Sequence, residues 1–419
     1  MKNIIKVLRE RGFIEAVTSD ELEIKAHEPL SVYCGFDPTS DSLHLGNLVA
    51  VMGLAWFQRC GHRVIAIVGG ATGMVGDPSG RNSERVLLDE ETIAKNLIGI
   101  RQNLESVLDM KTAKILNNYD WFKNFSFIDF LRDVGKLFRM GPMLSKESVK
   151  TRLESAEGMS FTEFSYQTLQ GYDFLHLYRH EGVNVQMGGS DQWGNITAGS
   201  ELIRKTLGES VYGLTFPLLT RSDGQKFGKS EKGAIWLASQ KTSPYEFYQY
   251  LVRVSDEDVI KLLCLLTFLE MDEIRKIENA MSASDYIPNT AQKRLAQELT
   301  LMIHGKEGLE RAIKATDAAR PGSQTLLDAQ VLESIASDMP SCEMELDKVE
   351  GASVIDLLCA SGMVQSKGEG RRLIRAGGVS VNNVKIEDEN SLVVVSQLID
   401  GRLLLLAIGK KNKMLIKLT

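Results

Sequence analysis

The chain alternates short apolar runs with segments of helical period, and this rhythm restricts the folds that it can adopt. The first apolar run leads through a turn that contains Pro and Asp into an amphipathic segment from Leu45 to Arg59, which stops close to Gly61. Strands that alternate with helices are typical of a parallel sheet covered by helices on both faces. We therefore predict an α/β domain with a Rossmann-like, doubly wound parallel sheet and ligands at the carboxyl ends of its strands. The apolar runs cover residues 31–36, 64–68 and 183–188.

The remainder of the 419-residue chain has two further patterns. Residues 243–316 have a helical period almost throughout. Beyond a stretch rich in Ala, Ser, Asp and Pro, a compact module near Val349 has the pattern of a helix, a Gly-Gly stop, a strand, an Asn-Asn turn and a second strand. We predict a Rossmann-like catalytic domain at 1–235, an α-helical domain at 236–330, a linker at 331–348 and a small α+β domain at 349–419.

Charge and cysteine content narrow the classes of function. The formal net charge of −6 argues against a protein that coats nucleic acid non-specifically, yet residues 351–419 hold 10 Lys or Arg against 6 Asp or Glu. A basic tail on an acidic body favours one localised polyanion contact. The five cysteines lie far apart, which fits a reducing compartment. With no signal-peptide pattern and no apolar run of membrane length, we expect a cytoplasmic protein without a membrane partner.

Two short motifs about 180 residues apart carry the chemistry. DPTSDSLHLGN at Asp37–Asn47 leads into the predicted helix, whose first backbone N–H groups favour anions, and it places His44 and Asn47 near a phosphate bound there. KFGKS at Lys226–Ser230 puts two cations and a hydroxyl on a Gly-containing loop that can cover a triphosphate. Together the motifs predict an enzyme that cleaves ATP between its α and β phosphates.

These motifs belong to a longer, ordered set that resembles the bacterial-type tyrosyl-tRNA synthetases, which are class I aminoacyl-tRNA synthetases with HIGH and KMSKS signatures. The resemblance runs in order from about residue 30 to 235, and the module near the C-terminus resembles the S4-like RNA-binding fold. It implies activation of L-tyrosine by ATP and transfer to the 3' end of tRNA(Tyr). The matching stretches are YCGFDPT, HLGN, GGATGMVGDPSG, FTEFSYQTLQGYDF, GGSDQWGN and KFGKS.

The resemblance implies a tyrosine pocket. Asp173 and Tyr33 would address the substrate phenol. Asp77, Tyr166 and Gln170 would surround its ammonium group, and Gln192 would reach either its carboxylate or the α-phosphate of ATP. Three of these residues are spaced i, i+4 and i+7 on one helix face, while Phe161, Phe164, Tyr172 and Leu175 fall on the opposite side, where we expect the core. Without the resemblance, a solvated polar face is the better interpretation. The implied tyrosine-binding residues are Tyr33, Asp77, Tyr166, Gln170, Asp173 and Gln192.

The resemblance also implies an ATP site. Two features depart from the family pattern, because Asn47 stands where HIGH has its second histidine and KFGKS replaces KMSKS. The implied ATP-binding residues are Gly35, Asp37, Thr39, His44, Asn47, Gly189, Asp191, Lys226 and Lys229. The implied catalytic residues are His44, Thr39, Asn47, Lys226, Lys229 and Ser230. Arg81 and Arg85 are expected to contact the departing pyrophosphate.

This inventory indicates catalysis by positioning and charge stabilisation, since no Ser–His–Asp or Cys–His set is present in the sequence. Mg²⁺ is expected as the ion carried on ATP, and no protein-bound metal is expected. His176 and His180 have a spacing that zinc uses, but a structural role is favoured because no third ligand is in register. Cys34, beside Tyr33, is interpreted as a packing or ribose-contacting thiol.

RNA binding is expected in the C-terminal module, where Arg371, Arg372 and Arg375 share one helix. The family resemblance implies a homodimer. Two alternatives remain open at this point. One is a synthetase for tryptophan, which the pairing of Tyr33 with Asp173 disfavours. The other is an RNA-binding or scaffolding protein whose active site has lapsed.

Overall fold

The computed structural model describes residues 2–80, 88–156, 158–230, 233–318, 329–336, 340–409 and 412–419. The chain divides into two compact units. The first unit comprises Met1–Lys241 and Val254–Leu295, and the second comprises Thr242–Arg253 and Ala296–Thr419.

A six-stranded sheet forms the centre of the first unit, with the strand order β1-β6-β5-β2-β3-β4. Strands β2 to β6 are mutually parallel, and β1 pairs antiparallel with β6 at one edge. The predicted Rossmann-like parallel sheet is confirmed. The strands of this unit are β1 (Ala16–Val17), β2 (Ser31–Phe36), β3 (Arg63–Val68), β4 (Ala113–Asn117), β5 (Val185–Gly189) and β6 (Tyr212–Phe216), with a small hairpin of β7 (Lys229–Ser230) and β8 (Gly233–Ala234).

The central strands are apolar along their whole length because both of their faces are covered. All of β3 except Arg63 is buried, and all of β2 except Gly35. Such continuous apolar runs are typical of parallel strands between two helical layers. The helices up to residue 241 are α1 (Ile4–Glu10), α2 (Glu21–Lys25), α3 (Leu48–Arg59), α4 (Thr72–Val75), α5 (Glu90–Glu105), α6 (Tyr119–Phe122), α7 (Phe127–Asp133), α8 (Met140–Leu144), α9 (Glu147–Leu153), α10 (Phe161–Glu181) and α11 (Trp193–Leu207).

Helix α10 carries three of the six predicted tyrosine-binding residues, and local chemistry sets both of its ends. Ser160 caps the first turn by accepting from the backbone N–H of Glu163. Gly182 ends the helix in the left-handed conformation, with φ of 63°. A buried ion pair holds the start of the helix, because the guanidinium of Arg152 donates to both carboxylate oxygens of Glu163 at 3.1 and 2.8 Å.

The second unit contains a five-stranded sheet with the order β11-β10-β12-β13-β9. Residues Asn382 and Asn383 both have positive φ in the turn between β10 and β11, as the Asn-Asn hairpin pattern predicts. Its strands are β9 (Ser341–Met344), β10 (Val379–Val381), β11 (Val384–Lys385), β12 (Leu403–Ile408) and β13 (Asn412–Leu418). The helices from residue 242 onward, in both units, are α12 (Pro244–Val252), α13 (Asp256–Leu266), α14 (Met271–Met281), α15 (Thr290–Ala318, interrupted at Gly305), α16 (Ala329–Ala336), α17 (Leu346–Val349), α18 (Val354–Ala360) and α19 (Lys367–Arg375).

The segment 331–348, expected as a linker, includes β9, which pairs parallel with β13. A sheet with helices in the C-terminal module agrees with the predicted S4-like class. In the described part of the chain, none of the helices combines the length and the apolar character that crossing a membrane requires.

Candidate active site

The predicted site residues gather at the carboxyl ends of the central parallel strands. Asp37 follows β2, Gly69 follows β3, and Asp191 follows β5, with β2 lying between the other two strands. At this edge the backbone of Gly69 lies very close to the side chain of Asp37. A Cβ at residue 69 would lie 2.1 Å from a carboxylate oxygen of Asp37. The sequence prediction of ligands at this edge therefore has a structural counterpart in three converging loops.

The carboxyl group of Asp173 lies buried on α10 with a donor on each oxygen. The indole N–H of Trp121 donates to Oδ1 at 2.9 Å, and the side-chain amide of Asn118 donates to Oδ2 at 3.1 Å. Burial raises the pKa of Asp173 to about 8, although both donors act to lower it. This carboxyl group is therefore mostly protonated at neutral pH in the free protein.

The hydroxyl of Tyr33 is buried and has no hydrogen-bond partner among the residues that the structure describes. Tyr33 lies on β2, and its ring packs at 5.4 Å from that of Phe174. Burial raises the pKa of Tyr33 well above its ordinary value, and the charge of Asp173 raises it further. A buried, unpaired hydroxyl costs free energy that a bound polar group can recover.

A continuous hydrogen-bond network joins this end of the site to Tyr166. The amide of Asn118 also donates to the hydroxyl of Thr72 at 3.0 Å, and that hydroxyl donates to Asp37 at 2.7 Å. The other oxygen of Asp37 accepts the phenolic O–H of Tyr166 at 2.7 Å. Burial first, and then the charge of Asp37, raise the pKa of Tyr166, so its hydroxyl stays protonated and donates.

A second network joins the remaining tyrosine-pocket residues. Gln192 donates to Asp77 at 2.7 Å, and Asn195 donates to the amide oxygens of Gln170 at 3.0 Å and Gln192 at 3.3 Å. Asp77 also accepts the backbone N–H of Ser79 at 3.0 Å. These contacts gather carboxylate and amide acceptors, the groups that a substrate ammonium requires.

The burial of the two faces of α10 departs from the helical-wheel expectation. Tyr166 and Asp173, on the polar face, are buried, whereas Phe161 on the expected core face is 67% exposed. Phe164 and Tyr172 are half-buried, and only Leu175 of that set is fully buried. The expectation was wrong because the polar face contacts other polar groups of the site, which a wheel cannot distinguish from water.

The HLGN motif forms a single 3₁₀ turn, Leu45–Asn47, ahead of α3. Asn47 accepts the backbone N–H of His44 on its side-chain oxygen at 3.1 Å, which directs its amide nitrogen away from that backbone. Within the described residues, Nδ1 of His44 is buried without a partner. Burial lowers the pKa of His44, and the charges of Lys229 and Lys226 lower it further, so its imidazole is neutral.

The KFGKS loop lies directly against this turn. Leu45 donates to the carbonyl of Ile235, and Ile235 donates to the carbonyl of Gly228, each at 2.8 Å. Gly228 has φ of 82°, and a Cβ there would lie 2.9 Å from the backbone nitrogen of Gly46. A side chain at residue 228 is therefore excluded by both conformation and space.

The two lysines of the loop are exposed, whereas Phe227 between them is buried and fixes the loop. Ser230 donates its hydroxyl to the carbonyl of Gly233 at 3.2 Å within the β7–β8 hairpin. Asp191 lies near enough for electrostatic coupling to Lys226. Burial and the neighbouring Asp77 raise the pKa of Asp191, and Lys226 opposes that rise. The structure thus brings both motifs together with Asp191.

The other predicted ATP residues line the approach to this region. Gly35 and Thr39 are exposed, and an added Cβ at Gly35 would meet open space. Gly189 is buried, and a Cβ there would lie 2.5 Å from Asp191. A cavity of about 920 Å³ adjoins Asp191 and Gly80, with Lys146, Lys205 and Trp193 in its lining. It lies beside the tyrosine pocket and shares none of the predicted tyrosine-binding residues.

Several predicted residues fall elsewhere or outside the described residues. Arg81 and Arg85 lie outside them. On α19, Arg371 and Arg372 are exposed, whereas Arg375 forms a two-pronged ion pair with Glu389 at 3.0 and 3.1 Å. Over the described ranges, no group of three or more His, Cys, Asp or Glu side chains is arranged to hold a metal ion.

Sequence reasoning missed the residues that position the predicted ones. Asn118 directly follows β4, so the rule that ligands lie at strand ends offered a signal for it. Thr72 and Asn195 lie inside motifs already noted for other residues. Trp121 lies on a four-residue helix and gives no local signal, because its contact with Asp173 crosses 52 residues of chain.

Two family models match the chain. The family model described as tRNA synthetases class I (W and Y) matches residues 25–319, which is more than half of the chain. A second model, described as a Tyrosine--tRNA ligase SYY-like C-terminal domain, matches residues 331–416.

Individual relatives match the whole chain or most of it. A tyrosine–tRNA ligase of Protochlamydia amoebophila is 65% identical, with 100% of this chain and 99% of that protein covered. A chloroplastic/mitochondrial tyrosine–tRNA ligase of Arabidopsis thaliana is 52% identical, with 100% and 84% covered. Among solved structures, a C-terminally truncated mitochondrial tyrosyl-tRNA synthetase of Aspergillus nidulans is 33% identical with a TM-score of 0.67, covering 74% of this chain and 92% of that one.

Proposed function

The chain belongs to the class I tRNA synthetases of the tryptophan and tyrosine group, and we propose that it is a tyrosine–tRNA ligase. It activates L-tyrosine with ATP to give tyrosyl-adenylate and pyrophosphate, then transfers tyrosine to the 3' end of tRNA(Tyr). The predicted family is confirmed by the match of its model over residues 25–319 and by the 65% identical relative.

The observation that carries tyrosine as the substrate is the buried pair of Tyr33 and Asp173. Both side chains are buried away from solvent. The hydroxyl of Tyr33, which has no described partner, provides a donor, and the carboxyl group of Asp173 provides an acceptor. A phenol hydroxyl both donates and accepts, so it pairs with both groups. The indole of tryptophan only donates, and the ring of phenylalanine does neither. Rejection of an analogue that leaves buried polar groups unpaired is a known principle, for which tyrosyl-tRNA synthetase is itself the standard example.

The ammonium group of the substrate binds at the second hydrogen-bond network. Asp77 and Gln170 of that network, together with the hydroxyl of Tyr166, offer acceptors to the ammonium group, and Gln192 is placed to meet the substrate carboxylate. The positions are preset by the contacts of Asn195 and Ser79. Binding therefore orients tyrosine with its carboxylate toward the ATP side of the site.

The chemistry is a displacement at phosphorus. A carboxylate oxygen of tyrosine attacks the α-phosphorus, the bond from that phosphorus to the bridging oxygen of the β-phosphate breaks, and pyrophosphate leaves with the electron pair. No proton transfer is needed, because the nucleophile is already an anion. Catalysis comes from groups that hold the charged phosphates in the transition state more tightly than in ground-state ATP.

The two signature motifs supply those groups. Lys226 and Lys229 bring positive charge to the β and γ phosphates, with Thr39 and Ser230 as further hydroxyl donors. Neutral His44 and the amide of Asn47 donate hydrogen bonds at the start of α3, and Gly35, Gly189 and Asp191 take the nucleoside. Mg²⁺ enters with ATP as part of the substrate. Arg81 and Arg85 remain predicted contacts of pyrophosphate.

The direct test is ATP–pyrophosphate exchange with tyrosine, tryptophan and phenylalanine in parallel. Tyrosine should support exchange, and the other two should be slower by orders of magnitude. Preferred exchange with tryptophan would replace the proposal with the neighbouring synthetase. A folded protein without any exchange would instead be an RNA-binding protein with a lapsed site.

Contact with tRNA is proposed for α19. Arg371 and Arg372 are exposed there, while the charge of Arg375 is compensated by Glu389. Replacing Arg371 and Arg372 together by Ala should raise the KM for tRNA roughly tenfold, since phosphate contacts dominate RNA affinity. Arg375→Ala is the matched control, and exchange without tRNA should stay unchanged in both. Equal charging by all three proteins would remove α19 from the RNA contact.

A homodimer is proposed from an exposed apolar patch formed by Phe127, Leu131, Met140 and Phe161, which line one cavity of about 390 Å³. Contiguous apolar surface of this kind marks interfaces. Phe127→Glu should convert a dimer to a monomer in light scattering, whereas Ile24→Glu, also exposed but remote from the patch in sequence, should not. A cytoplasmic location completes the proposal, because the substrate is tRNA and all five cysteines are free thiols.

A further inference from the structure

His176 is not among the predicted site residues, yet its imidazole contacts a residue that hydrogen-bonds Asp173. The ring of His176 stacks on the indole of Trp121, with ring centroids 4.4 Å apart and an interplanar angle of 16°. The same indole donates its N–H to Asp173 at 2.9 Å. His176 lies three residues after Asp173 on α10, so one side of one helix presents both the carboxyl group and the ring.

Trp121 depends on such contacts for its position. It lies on α6, which has only four residues and cannot hold a side chain in place through its own helical stability. The indole is half-buried, so solvent competes for its surface. A hydrogen bond from Nε1 fixes one point of the ring, and a flat neighbour is needed to fix its plane.

The outer side of His176 is also covered by a ring. His180, one turn later on the same helix, lies 4.4 Å away, and Tyr172 lies at 6.2 Å. Burial first, and then the neighbouring His180, lower the pKa of His176 to about 4, so a neutral imidazole stacks on the indole. His180 is exposed and has no direct contact with Trp121 among the described ring pairs.

We infer that His176 is a positioning residue for tyrosine recognition: it sets the plane of Trp121, and Trp121 in turn aims its N–H at the carboxyl group that receives the substrate phenol. This inference rests on the proposed function, in which Asp173 addresses that phenol. It predicts that a residue without any contact to the substrate tunes the selection of tyrosine over phenylalanine.

The test measures ATP–pyrophosphate exchange in the full chain. His176→Ala should raise the KM for tyrosine about two- to tenfold, the range expected for loss of one stacked ring pair. The kcat at saturating tyrosine and the KM for ATP should stay within about twofold, and preference for tyrosine over phenylalanine should fall. His176→Phe restores an aromatic ring and should recover most of the loss, whereas His176→Gln, similar in size but without an aromatic ring, should not.

Two comparisons separate this role from a general effect on folding. His180→Ala is the matched control and should leave the KM for tyrosine unchanged. In a Trp121→Phe background, which removes the N–H to Asp173, His176→Ala should add little further loss. Full additivity of the two changes, or equal effects on the KM of tyrosine and of ATP, would overturn the inference.

Failure of the role of His176 can be distinguished from failure of the proposed function. If the unmodified chain shows no tyrosine-dependent exchange, the proposed function fails. If exchange is normal and Asp173→Asn impairs tyrosine binding while His176→Ala does not, only the role of His176 fails. If His176→Ala does not fold, the Phe and Gln variants still give the comparison between an aromatic and a non-aromatic side chain.

Discussion

The two ends of the proposed site, the phenol end and the phosphate end, are built in opposite ways. At the phenol end, Asp173 and Tyr33 are buried, and two neighbouring side chains already hydrogen-bond the carboxyl group. At the phosphate end, the side chains of Lys226 and Lys229 are exposed. Backbone hydrogen bonds through Leu45, Ile235 and Gly228 fix the position of the loop that carries them. In the proposed assignment, selection of the amino acid relies on desolvated, preset partners, while activation relies on cations that stay hydrated until ATP arrives.

The difference follows from what each end must bind. A phenol is neutral and can be distinguished from a benzene ring only by the loss of buried hydrogen bonds. A triphosphate carries several charges, and lysines buried without it would suffer a large desolvation cost. The same comparison predicts where substitution should change the KM for tyrosine and where it should change kcat.

The largest effect is expected at Asp173. Asp173→Ala removes a buried group and leaves the N–H donors of Asn118 and Trp121 without their shared partner. It also removes a partner of the substrate phenol, so kcat/KM for tyrosine should fall about a thousandfold, as expected when buried polar groups are left unpaired. The measurement is exchange across a range of tyrosine concentrations. The KM for ATP is the internal control and should change little.

Asp173→Asn sharpens this test because it keeps the shape of the side chain. It also keeps an oxygen for one of the two N–H donors, so its loss in kcat/KM should be smaller than that of Asp173→Ala. An equal loss of tyrosine and ATP binding in both variants would indicate general disruption, and the phenol end would then have no special role.

At the phosphate end, Lys229→Ala should lower kcat for exchange about a hundredfold, the size typical for loss of one group that stabilises charge in the transition state. Tyrosine binding, measured at equilibrium without ATP, should remain within about twofold. Lys111→Ala removes an equally exposed lysine from a turn outside the site and should have no effect. A variant in which tyrosine binding weakens and kcat persists would reverse the assignment of the two ends.

The sequence predicts the scaffold of both ends better than their interior. The continuous apolar run predicts strand 31–36, and the two asparagines predict the turn at Asn382, because both signals are local. The burial of the polar face of α10 cannot be predicted from the sequence, because a helix that faces a polar pocket and one that faces water have the same pattern. The contact from Trp121 to Asp173 is equally invisible, because only the packing of α6 on α10 creates it.

The raised pKa of Asp173 gives a prediction for stability against pH in the free protein. A carboxyl group with a folded pKa of about 8 binds a proton that the unfolded chain has already released above about pH 4. The folded state therefore binds more protons than the unfolded state, and this group's contribution to the free energy of unfolding falls as pH rises from about 4 to about 8, by at most about 1.4 kcal/mol per pH unit.

Urea denaturation at several pH values measures this slope. Asp173→Asn has no proton to lose there, so the difference in stability between the variant and the unmodified chain should grow in the variant's favour toward pH 8. Other titrating groups cancel in that difference. A difference that is constant between pH 5 and pH 8 would mean that Asp173 is ionised throughout, and the phenol end would then resemble the charged phosphate end.

The smallest effect, and the most specific, is expected for Tyr33→Phe. The hydroxyl of Tyr33 is buried without a described partner, so removing it should raise the free energy of unfolding of the free protein by about 1 kcal/mol. The same change removes a partner of the substrate phenol, so the preference for tyrosine over phenylalanine should fall about tenfold. Urea denaturation and competitive exchange test the two halves separately. Greater stability together with poorer selection is the signature of a group kept unpaired for its ligand, and a loss of stability would show that the hydroxyl already has a partner in the free protein.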